Sequence, residues 1–203
     1  MSAEPNNYKE KLYIPYGVGG RDEILVVDIS QETIAKSQAM PARTIFIKGV
    51  SEGSSVIPDH KDELPLLFSQ YAIEVDNNSI MGGSSSATGK VSASRLVIVV
   101  PNGVKTVELT KHLTGATIPT ISVLDFIVAG DKRVISYESG FGNCRVAAVV
   151  VGNYGTAFVI SFQEYIVKAI DLSSTDMSTK GNNECSISLA GGKPADVIKL
   201  QSK

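Results

Sequence analysis

Ile80-Met81-Gly82-Gly83-Ser84-Ser85-Ser86-Ala87-Thr88-Gly89-Lys90-Val91 runs directly into Ser92-Ala93-Ser94-Arg95-Leu96-Val97-Ile98-Val99-Val100. A phosphate-binding loop would need Gly five places before the Gly-Lys pair and Ser or Thr after the Lys. Ser84 and Val91 occupy those places. Such a loop would also open a helix whose N-terminus meets the phosphate. Here it opens Val91–Val100, which begins with a period of two and ends as a β-branched run, the pattern of a strand. Residues Gly82–Gly89 therefore read as a mobile connector between two strands, with no nucleotide bound. A chain organised this way is expected to be mainly β.

Outward from that strand the same grammar repeats. Thr44–Lys48 is a strand, and Ser51–Asp62 a long polar loop containing Gly53 and Pro58. Leu66–Val75 reads as one strand behind Pro65, a residue that weakens a ladder. Val104–Thr114 is the best helix: Asn102 or Gly103 can cap it, Gly115 can end it, and Leu109 and Leu113 share a face with Val104 and Val107 beside them. Ile118–Val128 and Arg133–Tyr137 form a strand pair around Ala129-Gly130-Asp131. Ser139-Gly140-Phe141-Gly142 reads as a Gly-rich turn before a new strand, Cys144–Val151. Phe158–Ala169 alternates across an interruption at Gln163-Glu164 that suggests a bulge. Ser173–Asn183 is a polar loop, and Glu184–Ala190 closes the series. Many short strands and one helix imply a closed or nearly closed antiparallel barrel.

The N-terminal end differs. Tyr8–Arg21 is rich in Gly, Tyr and Pro, Ile24–Ile29 is a strand, and Ser30–Met40 a short helix with Ser30 as its cap and Glu32 in its first turn. Pro41 ends the pattern. The expected organisation is an extension over residues 1–42 packed on a β-barrel domain over 43–203.

Composition narrows the function. The 203 residues are 43% hydrophobic and 20% charged, with a formal charge of −2, which suits protein partners better than nucleic acid or an anionic membrane. The polar N-terminus has no signal-peptide core, and runs such as Val146–Val151 are too short to span a bilayer, so no membrane insertion is expected. Cys144 and Cys185 both lie in β-like apolar contexts, which predicts two buried, reduced thiols in a chain folded in a cytosol. His60 stands among Asp59, Asp62 and Glu63 with no second His or Cys at ligand spacing, and His112 lies on the helix. Asp125 and Glu164 could form a carboxylate pair, but nothing in the sequence joins them. No Gly-x-Ser-x-Gly elbow is present. The residues point to no catalytic site, metal or cofactor.

Taken in order, the motifs resemble the Hcp family, the tube proteins of bacterial type VI secretion systems. Phe46-Ile47-Lys48-Gly49-Val50 with Glu52-Gly53-Ser54 is similar to the family's opening strand and Gly-Glu-Ser turn. His60-Lys61-Asp62-Glu63-Leu64 is similar to its His-x-Asp/Glu-Glu-Ile, and Gly89-Lys90-Val91 to the end of its Gly-rich loop. Leu67-Phe68-Ser69, Thr114–Pro119, Val159–Val167 and Glu184–Leu189 resemble four further segments, so the likeness spans Arg43 to Leu200. The family's Trp is missing, and residues 1–42 have no counterpart. The resemblance implies a mainly β protein, an antiparallel barrel of the Hcp type with one α-helix and an N-terminal extension. It implies a structural, non-enzymatic subunit of stacked hexameric rings, the inner tube of a contractile apparatus. The implied partners are further copies of itself, sheath and spike or baseplate proteins, and secreted effectors. The implied location is the bacterial cytoplasm, then export. Ring contacts are expected at Glu52, Gly53, Asp59, His60, Lys61, Asp62 and Lys90. The competing reading is a small-ligand-binding or enzymatic β-barrel, which would need a pocket of convergent polar groups.

Overall fold

A computed structural model describes residues 9–18, 21–39, 42–52, 62–75, 91–129, 132–173 and 175–189. Its organising element is a twenty-residue strand, β10 (Lys132–Val151), that belongs to two sheets. The first half of β10 pairs with β9 (Ile118–Ala129) on one side and β12 (Glu164–Leu172) on the other. Its second half pairs with β11 (Gly155–Ser161). Register shifts at Ile135/Tyr137 and Val146/Ala148 interrupt the ladder, as bulges that bend and twist a strand do. Ser139–Gly142 therefore lies inside a strand rather than in a turn. Gly140 stands opposite Ser122 and Gly142 opposite Thr120.

The larger sheet runs β4 (Glu63–Pro65), β3 (Arg43–Ile47), β9, β10, β12, β13 (Thr179–Ser188). The smaller continues from β10 through β11 and β8 (Leu96–Pro101) to β5 (Phe68–Gln70). A separate two-stranded ladder joins β6 (Ile73–Val75) to β7 (Val91–Ala93). The expected single strand over Leu66–Val75 is thus two short ones, serving different ladders. Pro65 is tolerated because β4 is an edge strand, paired only with β3. Gln163 marks a corner rather than a bulge: the chain leaves the smaller sheet at Ser161 and enters the larger at Glu164. The Gln163 N–H donates to the Gly142 carbonyl, and its own carbonyl accepts from Leu189.

All pairings are antiparallel, and the two sheets enclose one apolar core. Ile45, Ile47, Ile98, Leu109, Ile121, Phe141, Phe158 and Ile160 have no exposed surface within it. Phe141 sits at its centre, with ring centroids 5.0 Å from Tyr71, 4.9 Å from Phe162 and 5.5 Å from Tyr165.

The outer face of β8 and β11 is covered by the N-terminal residues. β1 (Lys9–Val18) and β2 (Arg21–Ser30) form a hairpin in unbroken register, where only the second strand was expected. Alternate residues Leu12, Ile14, Tyr16, Val27 and Ile29 bury themselves against Val97, Val99, Ala157 and Val159. Polar contacts fix the alignment. The Glu10 carboxylate accepts N–H bonds from Asn153 at 2.8 Å and Tyr154 at 3.2 Å, at the β10–β11 turn. Gly152 leaves room for this approach, since a Cβ there would lie 2.6 Å from both Glu10 Oε1 and Leu12 Cδ2 and those side-chain ends would have to move. The Tyr16 and Ser94 hydroxyls meet at 3.0 Å.

Two α-helices complete the described residues. α1 (Gln31–Ala39) follows β2, and the Ser30 Oγ accepts the Thr33 N–H at 3.1 Å as its cap. α2 (Val104–Thr110) continues as a 3-10 turn over Lys111–Thr114 and ends at Gly115, whose φ of 100° is the left-handed conformation of a helix terminator. Its expected apolar face is not the buried one. Thr106 and Leu109 are buried, whereas Val104, Val107 and Leu113 are exposed. The helix lies on the barrel rim and inserts a single large apolar side chain.

Candidate functional site

The sequence pointed to the segment between β3 and β4. Its first end is a tight turn in which the Val50 and Ser51 N–H groups both donate to the Ile47 carbonyl and Gly49 adopts φ 80°. The Ser51 side chain closes the turn, accepting the Ile47 N–H at 2.8 Å. This holds Glu52 outward, where its carboxylate meets Lys48 at 2.9 Å. Hydrogen bonding and charge from Lys48 hold the Glu52 carboxyl below the usual range, while Asp62 acts weakly the other way. Asp62 takes the left-handed region, φ 73°, before Glu63 enters β4 and accepts a hydrogen bond from Thr44. Lys105 of α2 donates to the Glu52 carbonyl at 3.2 Å and pairs with Glu108 at 3.0 Å, so the helix buttresses this end.

Glu52 and Asp62 are thus the residues at which the described structure leaves β3 and approaches β4. Gly53, Asp59, His60, Lys61 and Lys90 lie outside the described residues, as does the Gly82–Gly89 connector.

The groups weighed for chemistry are dispersed. Asp125 forms an ion pair with Arg43, which also reaches Ser69. Glu164 accepts from Asn143 at 3.2 Å. Their strand partners on β10, Tyr137 and Gly142, are five residues apart, roughly 17 Å along the strand. No group of three or more His, Cys, Asp or Glu capable of holding a metal occurs among the described residues. No helix among them is long and apolar enough to cross a membrane.

The thiols also separate. Cys144 is buried, and desolvation with the nearby Glu164 charge pushes it up to about 12. Cys185 is exposed, against expectation, because it lies on β13, an edge strand paired only with β12. Sequence reasoning also missed a polar cluster at the core's margin. The Tyr71 hydroxyl lies 2.7 Å from Tyr165 and 3.1 Å from the Ser139 hydroxyl. Burial raises the Tyr165 phenol well above its ordinary range. Nothing in the spacing of residues 71, 139 and 165 announces that cluster, since each comes from a different strand or loop.

The architecture is a class in itself: among the described residues, two antiparallel sheets share one long strand, with edges at β4, β5 and β13 and α2 packed against them through Leu109. That is the Hcp fold. A solved type six secretion system protein superposes with a TM-score of 0.62 at 18% identity, covering 73% of this chain and 95% of its own. Hcp1 from Salmonella typhimurium gives 0.57 at 18% identity, covering 75% and 97%. A type VI secretion system effector from Yersinia pestis gives 0.54 at 15% identity, covering 72% and 98%. No family model and no curated protein sequence matches the chain.

Proposed function

We propose that the protein is a structural subunit of the inner tube of a contractile type VI secretion apparatus. The observation that supports this most is that the chain covers the solved secretion proteins almost completely, at 95% to 98% of their length. In this reading residues 43–203 are the tube module and residues 1–42 an added extension. The work of such a subunit is done by surfaces rather than by a reacting group. Among the described residues the larger sheet ends at β4 and β13, and an edge strand presents backbone donors and acceptors to a neighbour. β13 is almost wholly exposed, which suits the side of a subunit completed by a neighbour.

A heterologous contact that closes on itself makes a ring, and rings of about six subunits stacked face to face make a tube. The β3–β4 segment supplies the stacking contacts, with Glu52, Gly53, Asp59, His60, Lys61 and Asp62 as its polar surface and Lys90 meeting a neighbour's carboxylate. The sheath, the spike or baseplate and the carried effectors are then its partners, and export follows assembly in the bacterial cytoplasm.

Light scattering after size exclusion, with negative-stain electron microscopy, tests the reading at several hundred micromolar protein. Rings with a central hole are expected, stacking less when Asp62→Lys is introduced. A protein that stays monomeric in solution and in crystals would overturn it.

A further inference from the structure

Two apolar patches face away from the core. One is the outer face of the β1–β2 hairpin, where Tyr13, Ile24 and Val26 are 61%, 69% and 48% exposed. Register sets Tyr13 opposite Val26 and Pro15 opposite Ile24, so the four side chains form one block. The next pair along is Lys11 opposite Asp28. The other patch is the rim helix, where Val104 and Val107 are 76% and 62% exposed, with Lys111 exposed one turn beyond. Residues 104, 107 and 111 fall on one helical stripe.

We infer that the hairpin of one copy of this chain docks on α2 of another copy, Ile24 and Val26 against Val104 and Val107, and Asp28 against Lys111. The β2 stripe and the helix stripe carry the same order, apolar, apolar, charged, and Asp28, with Lys11 beside it on β1, is opposite in sign to Lys111. They are also commensurate. Ile24 to Asp28 spans about 13 Å along a strand, and Val104 to Lys111 about 10 Å along a helix; a lysine side chain covers the difference. Neither Asp28 nor Lys111 has an ion-pair partner among the described residues. The contact joins unlike surfaces, so it propagates from copy to copy. It is small by the standard of stable complexes and adds to whatever larger contacts the subunits make. It does not depend on the tube reading, since it concerns residues outside the β3–β4 segment and the sheet edges.

The test is disulfide trapping in the full chain with Cys185→Ser. Val26→Cys and Val107→Cys are made separately and mixed under mild oxidation. A mixed disulfide is expected, at least tenfold above that from either variant alone and above a Val26→Cys with Ile127→Cys control. Asp28→Lys should lower its yield about two- to fivefold, and Lys111→Asp on the partner should restore it. Homodimers of Val26→Cys in place of the mixed product would mean that hairpins meet hairpins. That result, or a mixed yield no higher than the control, would overturn the inference. All substituted positions are exposed, and matching thermal melts confirm that the fold is kept.

Discussion

Phe141 touches three other rings and has no exposed surface, so its removal leaves a void that the surrounding strands cannot close. Phe141→Ala should cost about 3–5 kcal/mol in urea denaturation, and Phe141→Leu markedly less. Equal losses for the two would show that the cluster is not tightly packed. The two cysteines offer a second test. Ellman's reagent should count one thiol, Cys185, in the native protein and two after unfolding, because Cys144 is buried. The raised Cys144 value also has a thermodynamic sign. Below pH 9 the thiol is protonated in both states and contributes no pH dependence. Between 9 and about 12 the unfolded chain releases the proton and the folded one keeps it, so stability falls as pH rises, by about 1.4 kcal/mol per unit. The raised Tyr165 phenol acts in the same direction at higher pH. Cys144→Ala should flatten the slope above pH 9; an unchanged slope would locate the effect elsewhere.

The N-terminal hairpin is the element whose attachment is most open to measurement. Glu10→Ala removes the carboxylate that gathers the Asn153 and Tyr154 N–H groups. Amide exchange in β1 should quicken several-fold while exchange in β9 and β10 stays unchanged, as local opening does. Uniform acceleration would mean that the hairpin and the barrel unfold as one unit. Elements with a local signature were legible in the sequence. Ser30 capped its helix, Gly115 ended the other, and the strand pair turning at Ala129–Lys132 was read in place. What was missed depends on partners. Ser139–Gly142 looks like a turn until one knows that Ser122, Thr120, Ile166 and Glu164 lie alongside it in two other strands. Val104 and Val107 look buried until the helix is seen to bury Thr106 and Leu109 instead. Cys185 fits an apolar alternation, but whether a face is covered is not written in the strand itself. Of the expected contact residues, Glu52 can be placed by the local turn at Gly49 and Ser51 and Asp62 by the start of β4; the remainder lie outside the described residues.

For the whole molecule, the hairpin and the barrel share one apolar layer, with Val97, Val99, Ala157 and Val159 fully buried beneath β1 and β2. Removing residues 1–42 would bare that strip along β8 and β11. The truncated chain is expected to bind a hydrophobic dye and to self-associate at concentrations where the full chain does not, as newly exposed apolar patches do. A truncated chain as soluble and as stable as the intact one would show that the layer contributes little. The same layer sets a schedule for synthesis. The hairpin is entirely local and closes within microseconds of emerging. The surface it must cover is completed only at Val159, 129 residues after Ser30. At ribosomal rates that gap lasts on the order of ten seconds. Until then Leu12, Ile14 and Ile29 have at most Val97 and Val99 to rest on, and the hairpin, marginal on its own in water, opens and closes with its apolar face uncovered. A nascent chain stalled before β11 should therefore be held by a ribosome-associated chaperone, and one stalled after β11 has cleared the exit tunnel should be released.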